Sequence, residues 1–183
     1  GYGFSAVCDA GEAIAFFCHR RIREYPIDGG PSTLCVSMRD ARLEEYGRRL
    51  LRRLRWSGPA MVEFKRENRS GEYKLLEINP RFAGSLPLAD HAGVNLPMAL
   101  AGRFFAGRSP VRQPAYMVGR KTRFLLSDCA SAASSLSHGE KRWKYLGGFV
   151  RDLLDMEVKD GILSMNDIRP GIAYLQQKLS VYG

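Results

Sequence analysis

Glu63, Glu77 and Asn79 carry oxygen-bearing side chains at positions from which one β-hairpin would bring them together. The stretch Pro59–Phe82 has strand-like residues on both sides of Asn68-Arg69-Ser70-Gly71, a turn composition. With Ser70 at the centre, Phe64 should face Leu76 and Val62 should face Ile78, making one apolar side for a core. The same register sets Glu63 opposite Glu77 on the other side, with Asn79 two residues further along that side. Facing carboxylates repel by roughly 0.2–1 kcal/mol, more when shielded from water. A cation would relieve that repulsion. Two carboxylates and an amide oxygen, with no imidazole or thiolate near, suit a hard ion such as Mg²⁺, which shares its coordination shell with phosphates. Pro80 ends the strand and Arg81 follows, a permanent cation suited to clamping a phosphoryl group. Gly84-Ser85 could present backbone N–H groups to an anion. Glutamates alternating on the wet side of a hairpin are commonplace, and Glu-x-Asn by itself favours a purely structural role. The combination with the matched register, Pro-Arg and Gly-Ser favours a site.

Several elements must position this hairpin. Phe4–Asp9 and Glu12–Arg23 are expected to form two strands joined at Ala10-Gly11, the second buried on both faces where Ile14–Phe17 is apolar on both parities. Pro26, Gly29-Gly30-Pro31 and Ser32-Thr33 form a glycine-rich loop. Asp40 caps a helix running to Trp56, with Leu43, Gly47, Leu50, Leu51 and Leu54 on one stripe and Gly58-Pro59 stopping it. Its other faces carry Arg42, Arg48, Arg49, Arg52, Arg53 and Arg55. Leu86–Phe105 is helical in parts, broken at Gly93–Pro97, and Gly107–Pro114 is a linker. Beyond it, Tyr116–Leu126 alternates like a strand and Ser127–His138 is small and serine-rich. Trp143, Leu146, Val150, Leu153 and Leu154 form a helical stripe, and Asp167–Leu179 is a terminal helix with Pro170 in its first turn.

Composition bounds these expectations. The chain has 183 residues, 45% hydrophobic and 26% charged, which excludes disordered and collagen-like classes and is enough to bury a core. No run approaches the ~18 apolar residues of a membrane span; Ala13–Cys18 ends in His19-Arg20-Arg21. The chain opens on Gly1 rather than Met and is expected to be a piece of something longer. Cys8, Cys18, Cys35 and Cys129 lack zinc-ligand spacing and are better suited to a reducing, cytoplasmic setting than to disulfides. His19, His91 and His138 match no triad or metal spacing and are expected to be surface or structural. The net charge of +9 invites a nucleic-acid role. No aromatic side chain interleaves the run Arg48–Arg55, however, so a solvated helix face is the simpler account.

Met-Val-Glu-Phe (61–64), Leu-Leu-Glu-Ile-Asn-Pro-Arg-Phe-Ala-Gly-Ser-Leu (75–86) and Ala-Gly-Val-Asn-Leu-Pro (92–97) together resemble the C-terminal part of the ATP-grasp superfamily. The nearest likeness is to the carbamoyl-phosphate-synthase-like carboxylate–amine ligases. The opening Gly-Tyr-Gly-Phe-Ser and the later His-Arg-Arg-Ile-Arg-Glu-Tyr-Pro with Gly29-Gly30 also resemble that family, over residues 1–107 in all. The resemblance implies an α+β fold, an antiparallel sheet with flanking helices. Residues 1–107 would be the C-terminal ATP-grasp subdomain, and 108–183 a mainly helical extension with a short strand, suited to packing or oligomerisation.

It also implies that Glu63, Glu77 and Asn79 bind Mg²⁺ or Mn²⁺ between ATP phosphates and that Arg81 steadies the transferred phosphate. A basic residue on the second strand would meet phosphates or the acid: Arg20 is favoured, with Arg21 the alternative. The family's other half, with its phosphate-binding lysine, glycine-rich flap and adenine hinge, would precede Gly1 and be the partner of this half. The implied reaction activates a carboxylate as an acyl phosphate for attack by an amine or another nucleophile, and the isolated chain is expected to be inactive. The rivals are a non-catalytic regulatory or scaffold domain built on the fold and, less favoured, a basic nucleic-acid-binding module.

Overall fold

The computed structural model describes residues 1–27, 29–107, 115–136, 142–164 and 167–182. Strand β1 (Tyr2–Asp9) turns into β2 (Glu12–Glu24) through Ala10 and Gly11, whose φ angles of 49° and 94° are both positive. A two-residue turn of that hand matches the twist of antiparallel strands. Ala15–Cys18 of β2 are buried on both faces of the sheet, with polar His19 buried beside them, while Ile14 at the start of the apolar run is half-buried.

Strand β3 (Ser32–Met38) pairs antiparallel with β2. Ser32 and Thr33, expected in the preceding loop, thus open a strand: buried Thr33, Leu34 and Cys35 outweigh the breakers before them. Strands β4 (Gly58–Arg66) and β5 (Tyr73–Asn79) form the anticipated hairpin. With β6 (Lys121–Arg123) and β7 (Lys159–Asp160) they complete one sheet in the order β5-β4-β1-β2-β3-β6-β7. All pairings are antiparallel except β6 with β7. The architecture is α+β.

Helix α1 (Ala41–Arg53) begins where Asp40 Oδ1 accepts from the backbone N–H groups of Arg42 (3.0 Å) and Leu43 (3.1 Å). Leu43, Gly47 and Leu51 are buried, whereas Leu54 is half exposed, so the apolar stripe is narrower than its leucines imply. It packs on the sheet face that carries Phe4 and Phe16. A Cβ on Gly47 would lie 2.4 Å from the Phe4 ring, so the helix approaches as closely as glycine allows. Arg48 lays its guanidinium over Phe16 at 4.2 Å, and Arg52 pairs with Glu12 at 2.8 Å. Arg42, Arg49 and Arg53 are exposed, the solvated face expected of this run.

Helices α2 (Leu86–His91) and α3 (Leu96–Phe104) are separated at Gly93-Val94-Asn95 as the breakers predict, and bury Leu88, Ala89 and Leu96. The later helices are α4 (Leu125–Ser135), α5 (Arg142–Leu154) and α6 (Arg169–Tyr182). The strand expected over Tyr116–Leu126 shrinks to β6, and the serine-rich stretch after it is helical through Ser135. Residues 108–114, most of the expected linker, and His138 lie outside the described residues.

Helix α5 is where expected, but its stripe points outward: Trp143 is 69% exposed and Leu154 73%. What it buries is Asp152, 1% exposed, which accepts from Arg23 Nη1 (2.7 Å) and Lys121 Nζ (2.7 Å). The Arg23 guanidinium also grips Asp128 of α4 with two bonds of 2.8 Å, and Thr33 Oγ1 donates to the same carboxylate at 2.8 Å. A paired charge cluster, rather than leucines, docks α4 and α5 onto β2 and β3. All four cysteines are free thiols. Among the described residues no helix is long and apolar enough to cross a membrane.

Candidate functional site

β4 lies between β1 and β5, and the registers bring side chains from four strands onto one face. Glu63 stands opposite Glu77 on one side and opposite Gly3 on the other, and Gly3 is in turn opposite His19. One row further, Asn79 aligns with Met61, Ser5 and Phe17. The expected facing of Glu63 and Glu77, and of Val62 and Ile78, is therefore present. The expected Phe64–Leu76 pair is not. The ladder slips by one residue between Glu63 and Phe64, so Phe64 faces Leu75 and Leu76 bulges out. Both leucines are exposed, by 48% and 57%, so the apolar side of β5 is interrupted between Ile78 and buried Tyr73. β5 is an edge strand with no second neighbour to hold its register, so an extra residue is absorbed there at low cost.

Glu63 is nearly buried (9% exposed), and its Oε1 accepts from Arg21 Nη2 at 2.5 Å. Arg21 Nη1 reaches back to the Gly30 carbonyl at 3.3 Å, so the glycine-rich loop helps to aim it. Arg20, favoured from sequence, is opposite Tyr2 and Val36 and projects from the other face of the sheet. This follows from the period of two in a strand: neighbouring arginines cannot share a face, and only the register tells which one meets Glu63. Lys65 follows Glu63 on the same face, a residue that sequence reasoning missed although the spacing Glu-x-Lys on a strand carries it.

Asn79 Nδ2 donates to Glu77 Oε1 at 2.7 Å, which leaves its Oδ1 as the atom for a cation. Glu77 is exposed, and Glu63 keeps its second oxygen free of Arg21. Arg81 follows directly: its backbone N–H bonds the Asn79 carbonyl at 2.9 Å, while its exposed guanidinium donates to the Phe82 carbonyl at 3.1 Å. Among the described residues that is its one side-chain hydrogen bond, so turning it toward the carboxylates gives up one surface contact. Gly84 is exposed with open space around it, but Ser85 is buried, its hydroxyl 3.3 Å from His19 Nδ1. The Ser85 side chain thus pins the start of α2 to the sheet.

Burial is the main cause that pushes the His19 pKa down to about 3, with Arg21 adding to it, so the ring is a neutral structural group. Gly3 is what makes room for it: a Cβ there would sit 2.2 Å from His19 Cε1.

Among the described residues no three His, Cys, Asp or Glu side chains cluster as a complete metal cage. Glu63, Glu77 and Asn79 supply two carboxylates and one amide oxygen, all hard donors. That partial set fits an ion such as Mg²⁺, which completes its shell with water and phosphate oxygens. The carboxylates are the residues that could hold a divalent cation, and Arg21 and Lys65 add positive charge on the same face.

Two comparisons bear on this arrangement. The family model described as "ATP-grasp in the biosynthetic pathway with Ter operon" matches residues 6–122, more than half of the chain. A 74-residue stretch is 38% identical to acetyl-CoA carboxylase 1 of Oryza sativa subsp. japonica and 38% identical to acetyl-CoA carboxylase 2 of Arabidopsis thaliana. It is 36% identical to acetyl-CoA carboxylase 1 of Arabidopsis thaliana. Each match covers 40% of this chain and 3% of the relative, so the chain spans a small part of the length of these proteins. With an antiparallel sheet that sets Glu63 against Glu77 and Asn79 at its open edge, the chain belongs to the ATP-grasp superfamily.

Proposed function

We propose that this chain forms the metal and phosphate wall of an ATP site, and that the longer protein uses ATP to join a carboxylate to an amine or another nucleophile. What carries the reading is Glu63 in register with Glu77 on the face that Asn79 and Arg21 share. In the first step a carboxylate oxygen attacks the γ-phosphorus, the bond to the β-phosphate oxygen breaks, and ADP leaves. The amine nitrogen then attacks the acyl carbon, inorganic phosphate departs, and the nitrogen loses a proton. Mg²⁺ or Mn²⁺ held by Glu63, Glu77 and Asn79 would neutralise charge on the phosphate oxygens. Arg81, exposed and lightly tethered, would follow the moving phosphoryl group, and Arg21 would orient the anionic partner. Such transfers need positioning and electrostatic stabilisation rather than a protein nucleophile, in keeping with the structural role of His19. The second wall, with the remaining ATP contacts, would lie upstream of Gly1. The acid and nucleophile would be selected largely by that half and by loops.

The test is Mg²⁺-dependent binding of ATP by the full-length protein, measured by calorimetry, with Glu77→Gln. Glu77 is exposed on an edge strand, so the variant should keep its urea midpoint while affinity in Mg²⁺ falls at least tenfold. Unchanged affinity would remove Glu77 from the metal site. Nucleotide binding without turnover of any acid would favour the regulatory reading.

A further inference from the structure

Helix α5 turns two unlike faces to its surroundings. Asp152, Tyr145 and Phe149 look inward: Asp152 accepts from Arg23 and Lys121, Tyr145 bonds Ser131, and the Arg23 guanidinium stands 5.7 Å from the Phe149 ring centre. The opposite face carries Trp143, Leu146, Gly147, Val150, Leu153 and Leu154, of which Leu146 is half-buried and the others are exposed. Met156, just past the helix, is almost wholly exposed. These apolar side chains leave roughly 600 Å² in water, the upper end of the largest patch on an ordinary monomer and most of the ~800 Å² that each partner gives to a standard interface.

Three features fit a second copy of the same helix. Trp143, Leu146, Val150 and Leu153 are separated by three, four and three residues, a spacing that reads the same from either end. An antiparallel two-fold therefore sets Trp143 near Leu153 of the other copy and Leu146 near its Val150, each contact made twice. Gly147 lies in the middle of the exposed face, where glycine costs a helix about 1 kcal/mol relative to alanine, and a Cβ there would meet nothing within 4 Å. The described residues give no reason for the missing side chain, whereas a helix crossing at that point approaches more closely for its absence. The charges are the third feature. Lys144 stands in the first turn of α5, where no acid balances it, and Asp155 and Glu157 follow the last turn. Both placements oppose the dipole of α5 itself, which Arg151 alone suits, and both are corrected when the basic start of one copy lies beside the acidic end of another. Asp155 already pairs with Lys121 at 3.5 Å and Glu157 with Arg120 at 3.1 Å. Glu157 spends only one oxygen on that pair and its side chain is 80% exposed, so it has room for a second cation.

We infer that α5 is the contact of a two-fold dimer, packed antiparallel against α5 of a second copy, crossing at Gly147 and setting Lys144 of each copy toward Glu157 of the other. The apolar stripe that the fold leaves in water is then the seam between copies, and the buried Asp152 side of the same helix is its anchor to the sheet. The contact is separate from the carboxylate face and needs no nucleotide.

Sedimentation equilibrium of the full-length protein without nucleotide tests it. A monomer–dimer equilibrium in the micromolar range is expected. Val150→Glu alters an exposed position, so it should keep the urea midpoint of dilute protein while weakening the dimer roughly tenfold or more. Lys144→Glu should weaken it severalfold, and adding Glu157→Lys to that variant should restore it, because the exchange reverses both ends of both copies at once. A protein that stays monomeric throughout that range, or a dimer that Val150→Glu leaves intact, would overturn the inference in favour of another occupant. Failure of the charge exchange to restore association would overturn the antiparallel arrangement. Undiminished association of Gly147→Leu would overturn the crossing at the glycine.

Discussion

Replacing Arg23 by methionine should be among the most damaging single changes in the chain, although Arg23 lies outside the candidate site. Arg23 is 5% exposed, and its partners Asp128 and Asp152 are each 1% exposed. Asp152 would keep Lys121 at 2.7 Å. Asp128 would lose both 2.8 Å guanidinium bonds and keep only the Thr33 hydroxyl. The variant thus leaves one buried carboxylate without a cation, held by a single hydroxyl. Removing one partner of a buried pair costs about 3–5 kcal/mol, against a total stability of roughly 5–15 kcal/mol for a domain. Urea unfolding at pH 7 should show that loss as an earlier midpoint at unchanged slope. Asp128→Asn added to Arg23→Met should recover part of it, because the neutral amide no longer needs the cation, with a coupling energy of about 0.5–3 kcal/mol. A loss below about 1 kcal/mol for Arg23→Met, or a strictly additive double variant, would refute the view that this cluster docks α4 and α5.

Stability should also fall in acid because of His19. Its folded pKa is pushed down to about 3 from 6.5, so between those values the unfolded chain binds a proton that the folded chain refuses. The contribution is fully present above pH 6.5 and is lost by at most about 1.4 kcal/mol per pH unit below it. Urea midpoints of wild type and His19→Gln between pH 7 and pH 4.5 should diverge accordingly; parallel curves would rule it out. Gly47→Ala sets two effects against each other. Alanine gains up to about 1 kcal/mol in an exposed helix, but a Cβ placed 2.4 Å from the fully buried Phe4 ring forces a shift of about 1–3 kcal/mol. Thermal unfolding should show a net loss, and a gain would mean that α1 can lift off the sheet freely.

The Glu63–Glu77 pairing was legible because two signals agreed: turn residues at Asn68–Gly71, and an apolar parity on Val62 and Ile78 that left the glutamates on the other side. The bulge at Leu76 was not, since Leu75 and Leu76 are equally apolar and only the missing neighbour beyond β5 decides which is displaced. Which of Arg20 and Arg21 shares the face of Glu63 was hidden for a related reason. The resemblance implied a cation on the second strand, but a face is a property of register, fixed by the pairing of β2 with β1 and β3. The cluster around Arg23 lay beyond local reasoning, because Asp128 and Asp152 sit on helices far along the chain. Helix α5 shows the cost: its leucine stripe looked like the buried face, whereas buried Asp152, with Tyr145 bonded to Ser131 and Phe149 under Arg23, holds it down on another side.

The bulge also bears on self-association. A flat outer strand with two adjacent exposed leucines would offer its free N–H and C=O groups as a template for another chain. Displacing Leu76 breaks the even spacing of those groups and increases the local twist, and Lys74 and Glu77 bracket the irregular spot with opposite charges. An incoming strand would lose its hydrogen-bond register within two residues. The rim that presents Glu77 and Asn79 is thereby kept from being zipped shut by a second copy, and stays open to small, soluble ligands.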